Sequence, residues 1–299
     1  MKLAIAFIVL CVALYAGAVP ETPSGSVLAR LDFIDSKLLD IQVALKNHHL
    51  EVSRNISVLQ DRSKSSSPDC ATPTASSRQP DTTTTISKPS QPASCKEVSS
   101  NVSGVYEIRV SNSNASFEVY CDQKKFGGGW IVVQYRFNGS IDFYRNWDEY
   151  RDGFGNLDGE FWLGLEKMHQ ITRLRTYELI VELKDFSGNY AYARYNAFEI
   201  GSEDEQYRLK TLGSYSGTAG DSMTGTNKRM KFSTKDREND VTVSDCARSF
   251  QGGWWYNGCT YANLNGLYMN VVNYKSMHWY SFKNDYHGLS FSRMMIREL

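Results

Sequence analysis

Hydrophobic residues recur every seven positions near the start of the chain. Leu31, Leu38, Leu45, Val52 and Leu59 form one row, and Val27, Ile34 and Ile41 form its companion. A seam of this kind predicts a short coiled coil over residues 27–62, bringing copies of the protein together as a homo-oligomer. The seam weakens where the companion row reaches His48 and Asn55. A lone amphipathic helix lying on a globular domain is the rival reading, but the segment that follows leaves it nothing nearby to cover. Residues 63–94 are dominated by Ser, Thr and Pro, with a threonine run at Thr82–Thr85 and almost no apolar side chains. Such a stretch cannot bury enough surface to fold and reads as a disordered, O-glycosylated linker.

From Cys95 onward the period becomes two. Residues 129–135, 175–183 and 190–195 read as strands, and 164–172 as a short helix. In the second strand Tyr177, Leu179, Val181 and Leu183 share one face, while Glu178, Ile180 and Glu182 share the other. After Gly213 the pattern dissolves into Gly, Ser and Asn with scattered aromatics, which predicts a loop-rich subdomain needing a disulfide or an ion to hold it. Its densest part, Cys246–Gly266, packs two cysteines, a Gly-Gly-Trp-Trp-Tyr run and an Asn-Leu-Asn-Gly turn into 21 residues. Just upstream, Asp236, Glu238 and Asp240 place three carboxylates at alternate positions.

The first residues give the protein an address. One lysine, an apolar run from Leu3 to Tyr15 and the small-residue site Ala16-Gly-Ala18 read as a secretory signal peptide over residues 1–18. No later segment is long and apolar enough to span a bilayer, so the reading is a protein of the extracellular space without membrane insertion. The 33 basic and 33 acidic residues cancel, with no basic block, which argues against a nucleic-acid partner. Secretion favours oxidised cysteines. Five remain once Cys11 leaves, an odd number that leaves one for an interchain bond. No Cys-x-x-Cys or His-x-x-x-His spacing supports zinc. Acceptor sequons for N-glycans stand at Asn55, Asn101, Asn114 and Asn138.

Enzymatic chemistry finds no support. A nucleophile elbow needs Gly-x-Ser-x-Gly, and Gly213–Gly217 puts Tyr215 at the nucleophile position. Gly153–Gly159 lacks the strand-then-helix unit of a nucleotide loop, and His169 sits in an apolar-flanked helix. There is no catalytic assignment.

Five stretches carry a resemblance: GGGW at Gly127–Trp130, Asp142–Thr172, Tyr207–Met223, Lys231–Val241 and GGWWYNGC at Gly252–Cys259. In this order and spacing they resemble a fibrinogen C-terminal domain over residues 95–299. The resemblance implies an α+β fold, with a central twisted antiparallel sheet, short helices and a loop-rich subdomain for calcium and ligand. The family comprises secreted recognition modules: fibrinogen chains, ficolins, tachylectin-type lectins and angiopoietin-like ligands. The Gly-X-Y repeats of ficolins are absent here.

The resemblance also implies bridges Cys95–Cys121 and Cys246–Cys259, a pairing that makes Cys70 the candidate for the interchain bond. It implies a structural calcium held by the carboxylates of Glu238 and Asp240 and the carbonyls of Thr242 and Ser244, with Asp236 as a further carboxylate. Glu238 stands where the family has Asp. The loop is no EF-hand, because Val241 sits where that loop needs Gly and Ala247 where it needs Glu. The ligand pocket implied consists of Phe250, Cys259, Thr260, Tyr286 and His287, with a cis peptide before Cys259 aiming its N–H inward. An acetyl methyl would lie on Phe250 and Tyr286, and the Thr260 hydroxyl would supply one hydrogen bond. Sugar-binding relatives carry His at the position of Thr260 and Tyr at that of Phe250. Two functions follow as expectations. One is a calcium-dependent lectin for acetylated glycans in innate immune recognition; the other is an extracellular ligand docking to a cell-surface receptor through the same loops.

Overall fold

A computed structural model describes residues 91–110 and 116–299, all within one compact unit, Thr84–Leu299. The signal peptide, the coil, nearly all of the linker, Cys70 and the sequons Asn55 and Asn114 lie outside the described residues.

The alternating runs become strands. β1 (Gly104–Arg109), β2 (Ser116–Asp122), β3 (Trp130–Arg136), β6 (Tyr177–Asp185), β7 (Tyr190–Ile200), β8 (Leu209–Leu212) and β12 (Leu289–Glu298) form one sheet in the order β1-β2-β3-β12-β6-β7-β8. Each neighbouring pair is antiparallel. The short strands β4 (Phe154–Gly155), β5 (Phe161–Trp162) and β9 (Tyr215–Gly217) join at its flanks. The C-terminal strand therefore lies between β3 and β6, at the centre of the sheet. β7 runs five residues past the expected Tyr195, because Phe198 and Ile200 continue the buried alternation opposite β8.

Among the described residues four α-helices accompany it: α1 (Trp147–Asp152), α2 (Leu165–Thr172), α3 (Cys246–Phe250) and α4 (Tyr280–Lys283). α2 buries Leu165, Met168 and Ile171, one turn apart along one stripe. At the start of α1 the Asn146 N–H is taken by the Glu149 carboxylate at 3.0 Å and the Trp147 N–H by Asp236 at 3.0 Å.

β6 is buried on both faces except at Lys184. Glu178 and Glu182 are as buried as the leucines beside them, because arginines cover them. Arg293 stands directly opposite Glu182 in the register, donates to it at 2.8 Å and donates to Asp122 at 2.8 Å. Arg297 faces Glu178 and donates at 2.8 Å, and Arg194 reaches the same carboxylate from β7 at 2.6 Å. The Arg293–Glu182 and Arg297–Glu178 pairs join strands that the sequence separates by more than a hundred residues.

The domain starts earlier than Cys95. The Arg109 N–H donates to the Pro92 carbonyl at 2.9 Å and Ser94 is buried, so the last linker residues belong to the fold. Both expected disulfides are present, Cys95–Cys121 and Cys246–Cys259, with Cα atoms 5.4 and 5.5 Å apart.

Beyond Gly217 regular structure nearly stops, and side-chain amides replace the ladder. Asn227 donates to the Trp255 carbonyl at 2.8 Å, Asn265 to Gly253 at 2.9 Å and Gln134 to Leu264 at 2.9 Å. Beneath these loops Tyr150, Trp162, Phe232 and Trp255 form an aromatic core with centroids 5.1–6.3 Å apart. Gly253 is wedged into it: a Cβ there would lie 2.6 Å from the Tyr150 ring.

Candidate functional site

The cysteine loop hangs from α3. The Asp245 carboxylate caps this helix by accepting the Arg248 N–H at 2.9 Å, and Gln251 closes it in the left-handed conformation. The backbone then descends through buried Trp254, Trp255 and Tyr256 and returns to the disulfide at Cys259. The Gly258–Cys259 peptide is cis, as the resemblance implies.

Around this loop six rings run in contact. Tyr261 meets Tyr280 at 5.0 Å, Tyr280 meets Tyr286 at 5.2 Å, and Tyr286 meets His278 edge-on at 5.0 Å. His278 lies 6.2 Å from Phe250, which meets Tyr274 at 5.1 Å. The rings come from α3, α4, the two-residue strand β11 (His278–Trp279) and the loops between them. β11 pairs with β10 (Ala262–Asn263), which fixes His278 opposite Asn263. Tyr261 and Tyr274 are about half exposed, as are Val271 and Val272 on the segment that pairs with Tyr286 and His287. Burial, and the neighbouring Tyr261 and Tyr280 hydroxyls, push the Tyr286 hydroxyl above the ordinary phenol range.

Of the five expected pocket residues, Phe250 and Tyr286 lie in this file, joined through His278. Cys259 sits at its edge through the disulfide to α3. Thr260 does not take the expected role. It is buried, its hydroxyl donates to the Ala262 carbonyl at 2.8 Å, and the same oxygen accepts from Asn227 at 2.9 Å and from the Ala262 N–H at 3.0 Å. Its one hydroxyl proton is thus spent inside the loop, and Thr260 holds the loop rather than a ligand. His287 stands beside Asp285, its Nδ1 4.0 Å from the carboxylate, and joins no ring contact among the described residues.

His278, Tyr261, Tyr274 and Tyr280 were not singled out by sequence reasoning. Their separate positions carry no shared period, and only the fold makes them neighbours. His278 Nδ1 lies 2.8 Å from the Ser276 carbonyl, while Nε2 is buried without a hydrogen-bond partner. Burial lowers its pKa to about 4 despite the Ser276 contact.

The acidic loop lies on the upstream side of α3. Asp240 accepts from the Thr242 N–H at 3.0 Å and the Cys246 N–H at 3.2 Å. Among the described residues neither Glu238 nor Asp240 meets a cation within salt-bridge distance, and no hydrogen bond reaches the Thr242 and Ser244 carbonyls. Carboxylates and carbonyls are the oxygen ligands a hard cation such as calcium takes, but among the described residues no three His, Cys, Asp or Glu side chains gather as a metal cluster. Asp236 is engaged elsewhere, accepting from the Trp147 N–H and from the Thr234 hydroxyl at 2.7 Å.

Residues 91–299 match the family model of the C-terminal globular domain of fibrinogen beta and gamma chains. The protein belongs to this fibrinogen family. Angiopoietin-4 of Bos taurus is 43% identical over 210 residues, covering 68% of this chain and 42% of that protein. The fibrinogen-like globe domain of human ANGPTL2 superposes with a TM-score of 0.66 at 40% identity, covering 69% of this chain and 99% of that one. A lamprey fibrin D-dimer complexed with the peptide Gly-His-Arg-Pro-amide matches at 29% identity with a TM-score of 0.64, covering 91% of this chain and 92% of that one. The sequence spans about two-fifths of the length of the angiopoietin it matches.

Proposed function

We propose that this fibrinogen-like protein is a secreted, non-enzymatic recognition protein that docks to a protein receptor at the cell surface. The observation that carries this reading is the six-ring file from Tyr261 to Tyr274 with its exposed valine flank. Half-exposed Tyr261 and Tyr274 at the two ends of the file, with partly buried Phe250, Tyr280 and Tyr286 and exposed Val271 and Val272, offer the aromatic and apolar side chains that enrich a protein-binding core. The Thr260 geometry counts against the acetylated-glycan reading, since the one hydrogen bond expected of its hydroxyl is committed to Ala262. The peptide complex of the lamprey relative is in keeping with a polypeptide ligand. Calcium bound by Glu238, Asp240 and the Thr242 and Ser244 carbonyls would brace the loop that leads into α3. The coil over residues 27–62 and Cys70 would join copies of the protein, so that several domains engage a surface together.

The test is binding of labelled protein to intact cells. Protease treatment of the cells should abolish it, and Tyr261→Ala with Tyr274→Ala should each weaken it by roughly thirtyfold, the effect of losing about 2 kcal/mol at an aromatic hot spot. Competition by N-acetylglucosamine, with indifference to protease, would return the acetylated-glycan reading.

A further inference from the structure

A second surface, sharing no residue with the ring file, lies where β8 meets the acidic loop. A cleft of about 190 Å³ is lined by Arg208, Arg229, Met230, Lys231, Asn239, Asp240 and Val241. Three of these are cations, and among the described residues none of the three makes an ion pair. Arg208 is held in place, its Nη1 donating to the Arg229 carbonyl at 3.0 Å, and Arg229 takes the left-handed backbone conformation. The single carboxylate, Asp240, turns its oxygens to the Thr242 and Cys246 N–H groups. With three cations against one carboxylate, the cleft carries a local excess of positive charge in a protein of zero net charge.

We infer that this cleft binds a sulfated glycan. Guanidinium forks and an ammonium match the oxygens of a sulfate ester, and the Met230 and Val241 side chains offer an aliphatic bed for a sugar ring. The volume is below the roughly 300–1,000 Å³ of an ordinary small-molecule pocket, so it takes one unit of a longer polymer. An acidic peptide is disfavoured because the strand edge is already closed. The Leu209 N–H donates to Met230 at 2.9 Å, the Arg229 N–H to Leu209 at 2.8 Å and the Phe232 N–H to Gln206 at 2.9 Å, leaving no free edge for an added strand there.

The experiment immobilises heparin and flows the full-length protein over it at about 0.15 M salt, where charges beyond about 8 Å are screened. Wild type should bind, and Arg229→Glu with Lys231→Glu should lose at least about tenfold in affinity. The neutral pair Arg229→Gln with Lys231→Gln should lose less, with an unchanged melting curve as the folding control. Lys124→Glu, an exposed charge reversal outside the cleft, should bind like wild type. Chemically desulfated heparin should not bind. Failure of wild type to bind heparin overturns the inference. So does equal binding by the reversed pair, an equal loss in Lys124→Glu, or equal binding of polyglutamate through the same two residues. Tyr261→Ala and Tyr274→Ala should leave heparin binding intact, which separates this site from the receptor-docking surface.

Discussion

His278 gives the domain an acid limb that can be isolated. The group is fully buried, and facing it are Phe250 on α3, Tyr286 on the loop before β12, and Asn263 on β10, with no carboxylate among them. Its pKa falls from the ordinary 6.5 to about 4. Below pH 6.5 the unfolded protein takes up a proton that the native state refuses until about pH 4. Native stability is therefore complete above 6.5 and drains away as the pH falls through that window. The slope is about 1.4 kcal/mol per pH unit, so the full window amounts to about 3 kcal/mol. For a domain of this size that lowers the melting temperature by roughly 6–12 °C.

His278→Phe removes the titrating group while keeping a ring in the file. At pH 7.5 it loses the contact to the Ser276 carbonyl, costing about 1 kcal/mol, and removes the unpartnered Nε2. Near neutral pH the variant should match wild type or fall slightly below it; near pH 4.5 it should be the more stable of the two. Asp185, held down to about 2 by Asn189 and Lys283 against its own desolvation, loses its contribution only below about pH 4 and cancels in the comparison. Denaturant midpoints measured from pH 7.5 to 4.5 on both proteins decide it. Parallel curves, without a crossing, would refute the assignment of this limb to His278.

Thr260→Val should cost about 2–4 kcal/mol, because it strands the Asn227 amide and the Ala262 N–H in a buried loop, whereas Thr260→Ser should be nearly silent in the same urea titration. Arg293→Met should cost about 3–5 kcal/mol by leaving Glu182 and Asp122 buried without their cation, read from equilibrium unfolding. Calcium should stabilise the domain by about 2.7 kcal/mol at a hundred times its Kd, with Asp240→Ala abolishing the shift; identical melting curves in calcium and chelator would remove the site.

The fold was legible where burial follows a local period. β3, β6 and α2 stand within two residues of where alternation and the 3.6 repeat put them. What the period could not give was the second face of β6. Glu178 and Glu182 look like a wet face in any window of nine residues, yet their cover arrives from Arg194, Arg293 and Arg297. The same separation hides the central place of β12, a strand made last and inserted between two made earlier. Secondary structure is local chemistry; sheet order depends on contacts that only the closed fold makes.

The site failed differently. The disulfide pairing and the cis peptide followed from resemblance and stand in the structure. The role given to Thr260 came from position alone, and position does not conserve function when the side chain changes. A ring projecting from that place can reach a ligand; a threonine's short hydroxyl finds the backbone two residues on, where Ala262 offers both an acceptor and a donor. Asn227 then needs a partner and takes the same oxygen. Threonine thus makes this position a brace, and the rings proposed for recognition lie on a line that no stretch of sequence displays. Tyr261, Tyr274 and Tyr280 are ordinary tyrosines in a tyrosine-rich protein until β10 and β11 pair and bring them onto one line with Phe250. On the receptor-docking proposal, ligand choice in such loops should follow the aromatic file more closely than the residue after the second cysteine.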